Sequence, residues 1–348
     1  MALFNAPSLR KPGFRLALLA FCVAIVVVAL GAFTRLVDAG LGCPDWPGCY
    51  GHLLWPIQEH NVARANEIWP ESPVEHDKTW PEMVHRYFAG SLGLLVVALV
   101  AVAWKRREES DQPFRLPLFL LFVVVWQALF GMWTVTLKLW PQIVTLHLMG
   151  GMTVLSLLWL LVLRLDNRPW QLPVRLHQKS MKLRPWVLAC LALVALQVML
   201  GGWTAANYAA YACVDFPTCH GDWWPAMDMA TGFDIFQTIG PNYLGGLLES
   251  DARVAIHYSH RLGALVVSIA LLVLCARLAT LGDRRASRLA LVILAALVLQ
   301  VGLGITNVLM HIPLSVAVMH NAGGGLLLLT LVTLACKLWT AKGEDRSV

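Results

Sequence analysis

The stretch Leu30–Gly51, LGAFTRLVDAGLGCPDWPGCYG, returns without gaps at Leu200–Gly221 as LGGWTAANYAAYACVDFPTCHG. Leu, Gly, Thr, Ala, Cys, Asp, Pro, Cys and Gly coincide, in that order. Each copy begins in an apolar run and ends in a polar stretch with a cysteine pair, Cys43 and Cys49 or Cys213 and Cys219. Downstream, the His85-Arg86 pair is matched by His260-Arg261. Gln127, Gly131, His147, Gly150 and Gly151 are matched by Gln300, Gly304, His320, Gly323 and Gly324 at one constant offset. A pattern repeated at this length implies one unit used twice, so a feature present in both copies has been seen twice.

Composition says what the unit is. Of 348 residues, 58% are hydrophobic and 14% charged, with a mean hydropathy of +0.63. A soluble domain has about 25% charged residues. Eight apolar spans are legible, at 15–35, 84–104, 117–137, 144–163, 186–207, 255–276, 289–310 and 315–336. Each is long enough for a helix to cross a hydrocarbon core of about 30 Å. The runs lack strict alternation, which favours helices over barrel strands. The first span follows Arg10, Lys11 and Arg15 as a signal sequence would, but its apolar stretch is too long, so it reads as a mature helix. The expected architecture is an all-α integral membrane protein of two parallel four-helix repeats. The N-terminal half is expected over 1–165, a basic linker over 166–185 and the C-terminal half over 186–348. An even helix count returns the chain to its starting side, so the halves are related by an axis along the membrane normal.

Twenty of the 27 Lys and Arg residues, Arg346 among them, fall in alternate segments that include both termini. The positive-inside rule then places both termini in the cytoplasm of a bacterial inner membrane. This bias also explains the net charge of +6 without a nucleic-acid partner. The 165–185 loop is expected to meet anionic headgroups of the bilayer. Both cysteine pairs fall in long outer loops, 36–83 and 208–254, where an oxidising compartment favours disulfides Cys43–Cys49 and Cys213–Cys219. Whether they are structural or redox-active stays open. Metal binding by these pairs is disfavoured, since no partner ligands stand at metal-site spacing. Cys22, Cys190, Cys275 and Cys336 lie within spans and read as packing residues.

Four histidines, His85, His147, His260 and His320, lie at the outer ends of even-numbered spans. One intramembrane histidine is readily explained as a core residue bonded to a carbonyl. Four at equal depth, in two matched pairs, point to function. Two imidazoles from two helices suit axial ligation of a haem. Zinc suits less, because it takes three or four ligands and no repeated carboxylate or thiolate stands nearby. Gly150, Gly151, Gly323 and Gly324 share a helical face with their histidines. They leave room either for a porphyrin or for close helix packing. The recurring Gln-x-x-x-Gly at Gln127, Gln197 and Gln300 reads as packing. Arg86 and Arg261 are placed either to pair with haem propionates or to snorkel. Trp46, Trp55, Trp69, Trp80, Trp223 and Trp224 read mainly as an interfacial belt.

One difference between the halves stands beside the histidines. Glu82 stands three residues before His85, and His257 stands three before His260. A carboxylate beside one haem edge suits a general base or an electrostatic stabiliser. An interfacial Glu facing water or Arg86 is the plain alternative.

The duplicated eight-span unit, the four histidines, Glu82-x-x-His85-Arg86 and the outer-loop cysteine pairs together resemble the haem A synthase family over nearly the whole chain. The resemblance implies oxidation of the C8 methyl of haem O to a formyl group through a hydroxymethyl intermediate, giving haem A for terminal oxidases. It implies haem O between His85 and His147, haem B on His260 and His320, and an essential carboxylate at Glu82. It suggests a haem O synthase and a redox acceptor as partners. It carries no role for His257, and it leaves the oxygen source, the acceptor and homo-oligomerisation open. A di-haem b-type electron carrier would explain the histidines but not the one-sided Glu82. A transporter would need mid-membrane helix breaks in both halves, which are absent from the sequence pattern.

Overall fold

The computed structural model describes residues 10–109, 111–238 and 240–344. Arg346, counted above among the inner-side charges, lies outside the described residues, as do the outermost ends of both halves. Among the described residues, eight helices are long and apolar enough to cross a membrane. They are α1 (Phe14–Leu36), α3 (His76–Lys105), α4 (Arg115–Thr136), α5 (Pro141–Asp166), α7 (Arg184–Ala206), α9 (Ser250–Ala279), α10 (Arg284–Leu309) and α11 (Leu314–Thr340). Shorter helices α2 (Glu59–Ile68), α6 (Val174–Met181) and α8 (Met229–Gly232) occupy the connections. The chain is an all-α integral membrane protein.

The helix ends follow local chemistry. Pro141 and Pro185 stand in the first turns of α5 and α7, where a missing N–H costs nothing. The Asp283 carboxylate caps α10 by accepting from the N–H groups of Arg285 and Ala286, both at 2.9 Å. Asn167 closes α5 in the left-handed region. Two helices start earlier than their apolar spans suggest. α3 begins at His76 and α9 at Ser250, so Glu82 joins His85, His257 and His260 inside a helix. The polar first turns carry no hydropathy signal and are helical because the outer loops fold against them.

In the N-terminal half α1 packs on α3 and α5, and α4 packs on the same two. In the C-terminal half α7 packs on α9 and α11, and α10 likewise. Across the middle, α5 meets α7, α1 meets α11, and α5 meets α11. Exchanging the halves maps this contact pattern onto itself. Each half has its own apolar core, around Leu158 and Val96 in one and Leu271 and Leu334 in the other. Leu94, Leu265, Leu291 and Val298 are exposed on the outer flank, as lipid-facing side chains are.

The 166–185 segment is structured, with Arg168, Arg175, Lys179 and Lys182 exposed. Its β1 (Gln171–Pro173) pairs in parallel with β2 (Lys342–Glu344), and Trp170 and Leu172 are buried in the C-terminal core. The linker therefore ties the chain's tail to the second half. Among the cysteines read as packing residues, Cys190, Cys275 and Cys336 are buried, but Cys22 is exposed on the α1 surface.

Candidate functional site

Each disulfide loop is a small folded unit. Cys43–Cys49 and Cys213–Cys219 are bonded, and a β-bridge joins Cys49 to His52 or Cys219 to Asp222. Asp45 accepts from the N–H groups of Tyr50 at 2.6 Å and Gly51 at 2.8 Å. Asp215 accepts from those of His220 at 2.7 Å and Gly221 at 3.0 Å, and from the Thr218 hydroxyl at 2.5 Å. These bonds, the Thr218 hydroxyl foremost, hold the Asp215 carboxyl well below its ordinary range. Gly42 crosses α3 so closely that a Cβ would strike the Lys78 carbonyl, so no other residue fits there. Tyr50 donates to the carbonyls of Ser72 and Pro73, at 3.0 and 3.2 Å. Burial first, then Glu75, Glu82 and Asp45, push its phenol up to about 12.

Trp55 and Trp69 pack on the first loop's core, with Trp69 edge-on to Tyr50 at 5.5 Å. They are partly buried against the core of that loop. Trp46, Trp223 and Trp224 are exposed, and Trp80 lies 5.8 Å from Phe33.

Beneath the loops lie the histidines. His85 on α3 faces His147 on α5 with ring centroids 6.5 Å apart and planes at 89°. His260 on α9 faces His320 on α11 at 6.5 Å and 82°. An imidazole nitrogen lies about 1.1 Å from its ring centre and a metal–imidazole bond is about 2 Å. Two imidazoles binding one iron from opposite faces therefore place their centroids about 6.3 Å apart. Both centroid separations match that distance. Among the described residues no group of three or more His, Cys, Asp or Glu is placed to hold a metal ion, so the histidines come as pairs. The Nδ1 atoms of His85, His147 and His320 are buried without a hydrogen-bond partner.

Every ring lies against a glycine of the neighbouring helix. A Cβ at Gly31, Gly131, Gly201 or Gly304 would stand 3.0, 3.4, 3.1 or 3.1 Å from the Cε1 of His85, His147, His260 or His320. The sequence offered Gly150, Gly151, Gly323 and Gly324 as room either for a macrocycle or for close helix packing. Gly150 and Gly323 are the two that lie tightest against a neighbour. The structure fills those positions with Gln127 and Gln300, whose Oε1 atoms occupy the space a Cβ would take. Helix packing explains these two glycines. The glutamines, however, do more than pack. Gln127 Nε2 donates to the His147 carbonyl at 2.8 Å, and Gln197 Nε2 to the His260 carbonyl at 2.8 Å. Their threefold recurrence at one spacing was the signal available in the sequence.

Glu82 is buried, at 5% exposure. Its Oε2 accepts the Cys43 N–H at 3.0 Å and its Oε1 pairs with Arg86. A carboxylate offers about four lone-pair sites, so acceptor capacity remains. In the second half His257 Nδ1 accepts the Cys213 N–H at 3.3 Å. Glu82 and His257 thus do the same structural work, and only one of them is an acid. Arg86 is held by the carbonyls of Asp45, Pro47 and Gly48, and Arg261 by those of Thr218 at 2.8 Å and Cys213 at 3.0 Å. Both guanidinium groups fasten loops, which takes up donors that a propionate would need. Arg261 Nε is buried without a partner.

Comparison with known proteins adds a family. The COX15-CtaA family, described as cytochrome oxidase assembly protein, matches residues 14–332. A protein of Shewanella oneidensis named heme A synthase is 46% identical over 315 residues, covering 90% of this chain and 93% of its own. Proteins of the same name from Caulobacter vibrioides and Shouchella clausii are 28% and 26% identical, over 91% and 92% of this chain and 94% of each of theirs.

Proposed function

Since the chain belongs to the COX15-CtaA, haem A synthase, family, we propose that it converts haem O to haem A by oxidising the C8 methyl to a formyl group. The observation that carries the reading is the pair of matched histidine sites, each at 6.5 Å, with a carboxylate beside only one. In this reading His85 and His147 flank haem O, and His260 and His320 hold haem B. Haem B, when bound, supplies one-electron transfer between the substrate and a membrane redox acceptor. With water supplying the oxygen, methyl plus water gives hydroxymethyl, two protons and two electrons, and hydroxymethyl gives formyl, two protons and two electrons, the electrons passing to the membrane acceptor. Glu82 is the group placed to accept protons on the substrate side. Arg86 fixes one of its oxygens, and the Cys43 N–H fixes the other.

The four histidines lie in the first parts of α3, α5, α9 and α11, on the side of the disulfide loops. With basic segments inside, that side is the periplasmic one. The loops then act as covers that exclude water from the reacting carbon and keep Glu82 in a dry, strongly electrostatic setting.

The test is co-expression with a haem O synthase in a host lacking haem A, followed by chromatography and mass spectrometry of extracted haem. Haem A from the intact chain, falling sharply in Glu82→Ala, is the expected result. Haem B alone, with haem O unconverted, would overturn the synthase reading in favour of a di-haem electron carrier.

A further inference from the structure

Exchanging the halves carries the seam between α5 and α7 onto the seam between α11 and α1. The repeat pairs Phe21 with Leu191 and Trp159 with Val332. In the α1–α11 seam the chain fills its own space. The Phe21 and Trp159 rings stand 4.8 Å apart, Phe21 is buried, and Trp159 Nε1 donates to Thr333 Oγ1 on α11 at 2.7 Å. In the α5–α7 seam the matching Leu191 and Val332 are smaller, and they line a cavity of about 340 Å³. Met152, Leu157, Ala195 and Leu328 line it too. Thr153 and Ala192, both exposed, stand at its mouth, so it opens on the flank of the protein.

Chemistry and depth select the occupant. The lining carries no charged side chain. The Thr153 and Ser156 hydroxyls donate within their own helix, to the carbonyls of Met149 and Met152, both at 2.8 Å. Water, which needs several polar partners, would be poorly held. A quinone ring would find no donor for its carbonyls. Left empty, the space would forfeit dispersion contacts in proportion to its volume. The lining stretches 149–157 of α5 and 191–198 of α7 lie midway along their helices, at the centre of the membrane. What borders the mouth at that depth is hydrocarbon. A cavity of about 150 Å³ holds benzene, so one of about 340 Å³ has room for about 14 carbons. That is the size of one acyl chain.

We propose that the α5–α7 seam is a binding site for one acyl chain of a membrane phospholipid, which does there what Phe21 and Trp159 do in the other seam. The headgroup stays in its own leaflet, and the chain wedges between the halves. The site is separate from the histidine pairs and does not depend on the haem reading. It bears on them by position. α5 carries His147, α11 carries His320, and α7 carries Gly201 against the His260 ring. The bound chain therefore completes the packing between the two halves on one side, where the protein completes it on the other.

The test uses the full chain in nanodiscs containing phosphatidylcholine with a diazirine near the end of one acyl chain. After illumination, labelled residues are mapped by peptide mass spectrometry. Label is expected on Met152, which is buried, and on Leu328. Their mirror positions in the other seam, Gly325 and Leu155, should stay unlabelled. Leu191→Phe with Val332→Trp copies the filled seam and should abolish the label on Met152, while Leu94 and Leu265 on the outer flank label as before. In native mass spectrometry the parent should retain a phospholipid that this double variant lacks. Phe21→Leu with Trp159→Val should open the second seam, so that Leu155 becomes labelled. If neither variant folds, the labelling pattern of the parent decides alone. Label on both seams alike, on neither, or undiminished in a folded Leu191→Phe, Val332→Trp chain would each overturn the proposal. Displacement of the label by added ubiquinone would overturn it too, by giving the seam to an isoprenoid chain.

Discussion

Glu82→His would make the N-terminal half carry the same residue as the C-terminal half. In the parent chain Glu82 does two things: it accepts the Cys43 N–H and it pairs with Arg86. Truncation to Ala removes both. An orphaned buried N–H costs about 1–3 kcal/mol. Breaking a buried ion pair costs about 3–5 kcal/mol, but Arg86 stays bonded to the carbonyls of Asp45 and Pro47, so the low end applies. Glu82→Ala is therefore expected to lose about 4 kcal/mol of local stability and to loosen the loop. Glu82→His differs, because His257 already serves the Cys213 N–H from this position. Its expected loss is the ion pair alone, with the disulfide and haem content kept. If the carboxylate moves protons during oxidation, haem A formation should still fall about 10²–10⁴-fold. Haem content is read from the pyridine haemochrome, loop integrity from hydrogen exchange, and product from chromatography. Glu82→His with full synthesis would refute the chemical role and leave Glu82 as a loop fastener.

Further outcomes follow from other contacts. Gly201→Ala and Gly304→Ala should lower haem content, because the new Cβ would stand 3.1 Å from a histidine ring; Gly302→Ala, with nothing within 4 Å, should leave it unchanged in the same spectroscopic assay. Cys43→Ser or Cys49→Ser should lower haem content or activity, since the short closed loop is worth about 2 kcal/mol and carries the carbonyls that hold Arg86; unchanged values in both variants would count against it. Tyr50 should be among the last tyrosines to ionise in an ultraviolet pH titration, its phenol being raised from 10.0 to about 12. Its contribution to loop stability is complete below pH 10 and lost as pH rises towards 12, because the unfolded phenol ionises first. Tyr50→Phe should remove that dependence from loop hydrogen exchange.

The parts of the site legible in the sequence were those with a local or periodic signature. Span number followed from apolar run length, and the histidines stood out because ionisable groups are rare among such runs. What stayed hidden depended on which faces meet. Gln127 and Gln300 read as packing because their reach towards His147 and His320 crosses from one helix to the next. That Arg86 and Arg261 also fasten the disulfide loops was hidden, because those carbonyls come from a distant part of the chain. Trp55 and Trp69 looked like belt residues because composition cannot separate a headgroup from a small loop core.

By itself the sequence determined that this is a helical membrane protein with eight spans, two copies of one motif and four histidines at one depth. These are consequences of hydropathy and spacing, which act along a single helix. The tertiary structure alone decided the 6.5 Å ring separations, the equivalence of Glu82 and His257 beneath their cysteines, and the glycines against which the rings rest. Those depend on the rotation of each helix about its axis. In lipid every outward face is equally apolar, so that rotation is set by interhelical contacts.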